Sequence, residues 1–470
     1  MTSALDLILQ GLSQVVNTFG SIIVIPIILF FISLAFGIKA NKAVQTALYA
    51  GIGLTGYSFL VGAYLPVVTP VVENMVKEAG INLPIVDMGW QVTAIVAYST
   101  KAGMIYLALG LVFQLILFIT GWTNVFQPSG LWDLYSYALW GSLIYFVTND
   151  MFLSIALMLV LNLWATTFYE VLAKRWSKYY QYPNCTIVQL HNVDPVPFAI
   201  FSNWLLNKCG AYKIHWKPDD LREKLGFMGD PIALGFILGF MLGVLGNIKD
   251  LGTLAAWGQI ATVAMGTAAV MAIFPRVAAI FAQAFTHLSA ASRKFAVDKG
   301  REEIYVGVDD ASGYGESATL ITGIVLIPIM LLIAAVLPGN RVLPLVDLVA
   351  IPFAIQSFIA FSNGNIFKSI ISAAVWFAGG LLIATATSPI FSQVYNSVAA
   401  NATPGSLVTS FIIMNKPFWG GFTMFTMNSG WLAVAVLFVI YVVMTLWYKK
   451  NKVKVTDWLE KQAELDVESD

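Results

Sequence analysis

Charge is what this sequence has least of. Only 11% of its 470 residues are Asp, Glu, Lys or Arg, where an ordinary soluble protein carries about 25%. Twenty-six basic and 26 acidic side chains cannot surface a water-soluble fold of this length. A soluble enzyme is therefore excluded, and so is a nucleic-acid binder, which needs a basic surplus. Cysteine is nearly absent. Cys185 and Cys209 cannot build a disulfide scaffold, and no CxxC or Cys/His cluster offers a metal site. There are three histidines and no P-loop, GxSxG or HExxH, so neither a self-contained catalytic motif nor a cofactor is expected. The first 17 residues lack the basic region that opens a cleavable signal peptide. Apolar residues fill the space: 58% hydrophobic, with 14 Trp, 18 Tyr, 31 Phe and 37 Gly, and a mean hydropathy of +0.76. The chain reads as an all-α polytopic membrane protein.

A helix needs about 20 mainly apolar residues to cross a bilayer. About eleven stretches qualify, near 18–38, 44–65, 102–121, 133–148, 150–172, 230–246, 252–274, 317–337, 345–362, 367–387 and 429–448. With the N-terminus outside and the spans alternating, only Lys77, Lys101, Lys249, Arg341 and Lys416 of the 26 basic residues fall outside. The other 21 fall inside, a bias that orients the chain N-out and C-in.

An offset of 209 residues lays later spans over earlier ones: Gly20 on Gly229, Phe31 on Phe240, Gly37 on Gly246, Ala47 on Ala256, Pro66 on Pro275 and Val68 on Val277. Five spans precede the second copy, so the copies have opposite orientation. That is the inverted-repeat plan of many transporters, 5+5 spans plus a final helix. The expected division is 1–173 for the first repeat, 174–228 for a cytoplasmic or re-entrant linker and 229–387 for the second repeat. An extracellular loop at 388–428, a last span at 429–448 and a cytoplasmic tail at 449–470 complete it.

Each copy is followed by an apolar stretch too irregular for a span: INLPIVDMGWQVTAIVAYS (81–99) and EEIYVGVDDASGYGESATL (302–320), both containing Val-Asp. Gly, Pro and Asp in apolar surroundings predict re-entrant hairpins, which a membrane tolerates only where they line a protein-enclosed cavity. Asp87 and Asp309 are expected near the midplane, facing each other, either as ligands or as helix N-caps. Glu316 follows the flexible Gly313-Tyr314-Gly315, and Asp310 reads as a second cap. A third irregular stretch, YPNCTIVQLHNVDPVPF (182–198), should dip in and return. It carries His191, either ligand or structural imidazole, and Gln189, whose amide both donates and accepts as a polyhydroxyl ligand requires. His215 and His287 read as surface or packing residues. Tyr145 and Asn149 are four apart and share one helix face beside Thr148 and Asp150. Trp90, next to Gly89 and Asp87, is the tryptophan best placed for a ligand.

The segments VDMGW (86–90), PDDLREKLGFMGDP (218–231), FPRV (274–277), GVDDASGYGES (307–317), PGNRVLPLVDL (338–348) and GNIFKSIIS (364–372) resemble one family. It is the membrane-embedded IIC component of bacterial phosphotransferase-system (PTS) permeases of the galactitol type, more distantly similar to the ascorbate type. The resemblance implies a homodimer in the bacterial cytoplasmic (inner) membrane, with a scaffold domain and a mobile core domain that carries a galactitol-like polyol or sugar inward, elevator fashion. It also implies a separate IIB protein whose phosphocysteine phosphorylates the substrate, and a IIA protein that charges IIB. The family's carbohydrate site maps onto Asp87, Gly89, Trp90, Tyr145, Asn149, Gln189, His191, Asp309, Gly315 and Glu316. Asp309 and Glu316 would take the catalytic part. The galactitol-type pattern has histidine where this chain has Tyr145 and Glu316. A carboxylate at Glu316 could still take the proton of the accepting hydroxyl. The alternative from the residues alone is an ion-coupled secondary transporter in which Asp87 and Asp309 bind H⁺ or Na⁺.

Overall fold

The computed structural model describes residues 37–465 except 79, 128–129, parts of 215–229, 299–302 and 400–404, together with isolated positions between 18 and 34. The expected span 18–38 lies mostly outside the described residues, as do His215 and the side chain of His287.

Among the described residues, seven helices are long and apolar enough to cross a membrane: Ala40–Glu78, Lys101–Ile119, Met151–Tyr180, a stretch Leu254–Phe281 within the helix Leu254–Asp298, Ser317–Val336, Ile366–Val398 and Trp431–Glu464. Gly130–Thr148 and Pro231–Leu245 complete the expected spans at 133–148 and 230–246. The expected span at 345–362 is broken. It folds as a 3-10 turn Val346–Ala350, a short helix Ile351–Ala354 and a second short helix Gln356–Phe361. Pro352 removes a backbone donor, and the buried Asp347, Gln356 and Ser357 make the segment polar inside, so average hydropathy hid a segment that is not one helix. The segment 388–428, expected as a loop, also differs. The helix Ile366–Val398 runs into it, followed by a strand Leu407–Thr409 and helices Phe411–Met414 and Pro417–Ser429.

The irregular stretches form strands. β1 (Ile85–Asp87), β2 (Val125–Phe126), β3 (Cys185–Ile187), β4 (Tyr305–Val308), β5 (Val342–Leu343) and β6 (Leu407–Thr409) make two parallel three-stranded sheets, ordered β5-β1-β6 and β2-β4-β3. Each sheet takes its central strand from the other half of the chain. The segments after β3 and after β6 match in length. Each is a helix of four residues, then one of 13: Leu190–Val193 and Val196–Lys208 after β3, Phe411–Met414 and Pro417–Ser429 after β6. Ladder bonds and buried side chains satisfy the polar groups of this irregular backbone among the apolar helices.

Three helices, Ala40–Glu78, Pro231–Leu245 and Leu254–Asp298, pack mainly on one another through small residues. Gly53 lies against Phe281, Gly239 against Thr267 and Gly246 against Val71, so that a Cβ at any of them would collide. Tyr64 Oη and Thr267 Oγ1 share a hydrogen bond of 3.1 Å within the group. The group meets the rest through apolar contacts such as Phe274 on Tyr314, ring centroids 5.8 Å apart.

Candidate functional site

The sequence puts a carboxylate at the C-terminal end of each central strand, where two neighbouring strands also end and turn away. In the β5-β1-β6 sheet this is Asp87. Its Oδ1 accepts from Gly89 N and Phe411 N, both at 3.0 Å. Its Oδ2 accepts from Leu345 N at 3.0 Å and Asp347 N at 2.8 Å. Those donors lie just beyond β1, β5 and β6, so one buried carboxylate ties three chain segments together. Asp347 repeats the pattern beside it, accepting from Trp90 N at 3.1 Å, Ile412 N at 3.1 Å and Ser410 Oγ at 2.5 Å. Gly89 stands at φ 84, and a Cβ there would lie 2.9 Å from Val346 Cγ1, so the turn that delivers Trp90 N needs glycine. Trp90 itself is half-buried.

The other sheet ends differently. Beyond β4, Asp309 Oδ1 accepts from Ala311 N at 2.9 Å, a local turn within its own segment. Contrary to expectation, Asp310 does not cap the short helix Ala311–Tyr314 with its side chain. Its Oδ2 pairs with His191 Nε2, from the segment after β3. Burial explains this: an imidazole and a carboxylate out of water satisfy each other better than either satisfies a backbone group already bonded. Gln189 donates to Asp133 Oδ1 at 3.0 Å and to Val308 O at 3.2 Å. Gln356 reaches in from the broken segment, donating through Nε2 to Asp310 O at 2.6 Å, and Asn192 Oδ1 accepts from Gln356 N at 3.1 Å. Gly313 lets Gln356 approach, since a Cβ there would overlap its amide.

Between the two sheet ends lies Lys416, fully buried, donating to the carbonyls of Ile412 and Asn415. Its ammonium interacts electrostatically with Asp194, Asp347 and His191. Asp347 interacts in turn with Asp87, and His191 with Asp309. The two strand-end carboxylates are thus joined by a chain of buried titratable side chains. Lys416 is no face charge, although the topology count sets it outside.

Several buried polar atoms around this chain have no hydrogen-bond partner among the described residues: His191 Nδ1, Asp194 Oδ2, Ser312 Oγ and Ser357 Oγ. An unmet buried donor or acceptor costs about 1–3 kcal/mol, so such a group of them fits a ligand rich in hydroxyls.

The expected site residues divide. Asp309, His191 and Gln189 come together, with Gly315 nearby, where a Cβ would overlap the Phe274 ring. Asp87, Gly89 and Trp90 share the Asp347 region. Glu316 half-caps the helix Ser317–Val336: Oε1 accepts from Ala318 N and Tyr179 Oη, each at 3.0 Å, and Oε2 accepts from Thr319 N and Oγ1 at 2.9 and 2.8 Å. Tyr145 is 12 residues beyond Asp133 on Gly130–Thr148, about 18 Å along the axis. Asn149 is exposed, at φ 53 in the turn between two helices, and neither joins the His191 group. Asp310, Lys416, Asp194, Asp347 and Gln356 are what sequence reading missed. The available signal was an ionisable or amide side chain inside an apolar run, applied to Asp309 and not to its neighbour, to Asp194 in 182–198, to Asp347 and Gln356 within the expected span 345–362, or to Lys416 in the expected loop.

Residues 14–406 match the family described as PTS system sugar-specific permease component. The chain is 25% identical over 434 residues to the PTS system galactitol-specific EIIC component of Escherichia coli (strain K12), covering 91% of this chain and 94% of that protein. The same values hold for the protein of that name from Escherichia coli O157:H7. With its apolar helices, this match makes the chain a multi-pass membrane protein that works with other PTS components on a sugar substrate. It belongs to the PTS system sugar-specific permease component family, as a IIC component.

Proposed function

We propose that this IIC component binds a galactitol-like polyol or sugar at the end of the β2-β4-β3 sheet and presents it to a phosphorylated IIB protein. The observation that carries the reading is the set Asp309, Asp310 and His191 with the unpartnered His191 Nδ1, Ser312 Oγ and Asp194 Oδ2 beside it. Carboxylates accept from hydroxyls, an imidazole nitrogen does either, and the two together orient a polyol. Transfer breaks the S–P bond of the phosphocysteine and forms an O–P bond to the substrate. The hydroxyl proton passes to Asp309, the strand-end carboxylate with the fewest backbone donors. Positioning and that proton acceptor are what phosphoryl transfer asks of the protein. Asp87 and Glu316 are assigned to holding the loops, because both oxygens of each already accept two hydrogen bonds.

The matching sheets support two repeats with exchanged central strands, the second running on through Ser429 instead of ending at 387. The three-helix group is proposed as one body and the sheet-bearing region as the other. Their apolar contact suits an elevator-type shift, because packed rings and methyl groups have little directional preference. A homodimer in the bacterial cytoplasmic membrane, N-terminus outside and C-terminus inside, completes the reading.

The test uses purified protein in vesicles with radiolabelled galactitol. Phosphorylated product should appear only when the phosphorylated IIB is present, and Asp309→Asn should abolish it while the protein stays folded. Accumulation of unmodified polyol down an ion gradient without IIB would overturn the proposal in favour of secondary transport.

A further inference from the structure

The last helix, Trp431–Glu464, runs for 34 residues, about 51 Å, which exceeds the roughly 30 Å of a bilayer's hydrocarbon core. Of the seven long apolar helices it is the least covered by the rest of the chain. One face is buried: Ala433, Val434, Leu437, Tyr441, Thr445 and Tyr448. It packs on Met151–Tyr180, where Trp164 Nε1 donates to Leu437 O at 3.1 Å and Thr167 and Thr445 share a hydrogen bond of 2.7 Å. The opposite face is exposed and apolar at Val439, Val443, Leu446 and Trp447.

Directly after this stretch come Lys449, Lys450, Lys452 and Lys454, with no acidic residue before Asp457. They do not act alike. Lys449 turns inward, its Nζ 4.1 Å from the centroid of Trp122 and donating to Trp122 O. Lys450 and Lys454 are exposed and form no ion pair among the described residues. Spacings of three and four put Trp447, Lys450 and Lys454 on one helix face, in line with Val443. Two unpaired ammonium groups about 6 Å apart along the axis thus stand where the apolar face ends, with an indole beside them.

We propose that Lys450, Lys454 and Trp447 form a headgroup site for an anionic phospholipid whose acyl chains lie along Val439, Val443 and Leu446. Apolar surface running into unpaired positive charge is complementary to a lipid with a negative phosphate at that depth. A second copy of this chain fits the face less well. Two-fold pairing here would set these lysines against their own counterparts, and like charges repel. The site needs no assumption about the transported substrate or about which side of the membrane is inside.

The test is native mass spectrometry of the full-length protein released from nanodiscs containing phosphatidylglycerol and phosphatidylcholine. The wild type should retain phosphatidylglycerol in preference, and less of it as salt is raised. Lys450→Gln with Lys454→Gln should weaken that retention about 30-fold, at about 1 kcal/mol per lysine, while the double Lys→Arg variant keeps it. Should the glutamine variant fail to fold, the wild type's salt dependence and lipid preference decide. Equal retention of the two lipids, unchanged retention in the glutamine variant, or cross-linking of two chains through a Trp447→Cys substitution would overturn the proposal. Competition by inorganic phosphate alone would overturn the lipid assignment.

Discussion

Asp87 and Asp309 occupy the same place in two sheets of the same plan, yet their surroundings are opposite. Asp87 accepts four backbone N–H groups drawn from three segments. Asp309 accepts one, from its own turn, beside a carboxylate–imidazole pair. A carboxylate whose lone pairs are all engaged is a fastener. One with lone pairs to spare, among unpartnered donors, can change partners when a ligand arrives. The two sheet ends are therefore built differently, and on the proposed reading only the Asp309 end suits substrate.

The sharpest break of this comparison is Asp87→Asn. The amide nitrogen would face two N–H donors, and hydrogen bonds to a charged group are worth about 1.5–3 kcal/mol each. A loss of about 3–6 kcal/mol from a total near 5–15 should lower the melting temperature and the yield of folded protein markedly, read by thermal melting and size-exclusion chromatography. A melt close to wild type would end the fastener reading. Next come Asp310→Asn and His191→Gln, which should leave folding nearly intact and weaken polyol binding about 10- to 100-fold by calorimetry. Equal destabilisation of these two and Asp87→Asn would erase the distinction. Gly89→Ala forces a side chain into φ 84 against Val346, at a cost of about 1–3 kcal/mol visible as a lower melting temperature with binding largely preserved. Glu316→Gln keeps part of its cap and should cost about 1 kcal/mol, with uptake reduced less than in Asp309→Asn. Smallest is Tyr145→Phe: if that position lies away from the site, binding should change by no more than about 2-fold.

Much of this fold was legible in the sequence. Long apolar runs gave most helices, because crossing a bilayer leaves few alternatives to a helix. The Val-Asp pairs marked both strand ends, since an acid in an apolar run is too costly to be incidental. What could not be read was pairing. Nothing local in Leu407–Thr409 says that it borders Val86, and hydropathy counts Gln356 and Ser357 as noise within an apolar segment. Asp310 carries the same local signal as Asp309, but nothing local names its partner: His191 is 119 positions away in sequence. Tyr145 and Asn149 do share a helix face, but a shared face does not say which end of the helix the ligand meets.

The exchange of central strands has a consequence in time. β1 is made early, but both strands that flank it, Val342–Leu343 and Leu407–Thr409, come from the far half of the chain. At about 5–20 residues per second, Val86 waits on the order of 15–60 s for Val408 to be synthesised. Through that interval its ladder groups and the Asp87 carboxylate must be shielded by something other than their native partners. Neither half can be made and stored as a finished piece, so cutting the chain between them should yield two fragments that fold only when produced together.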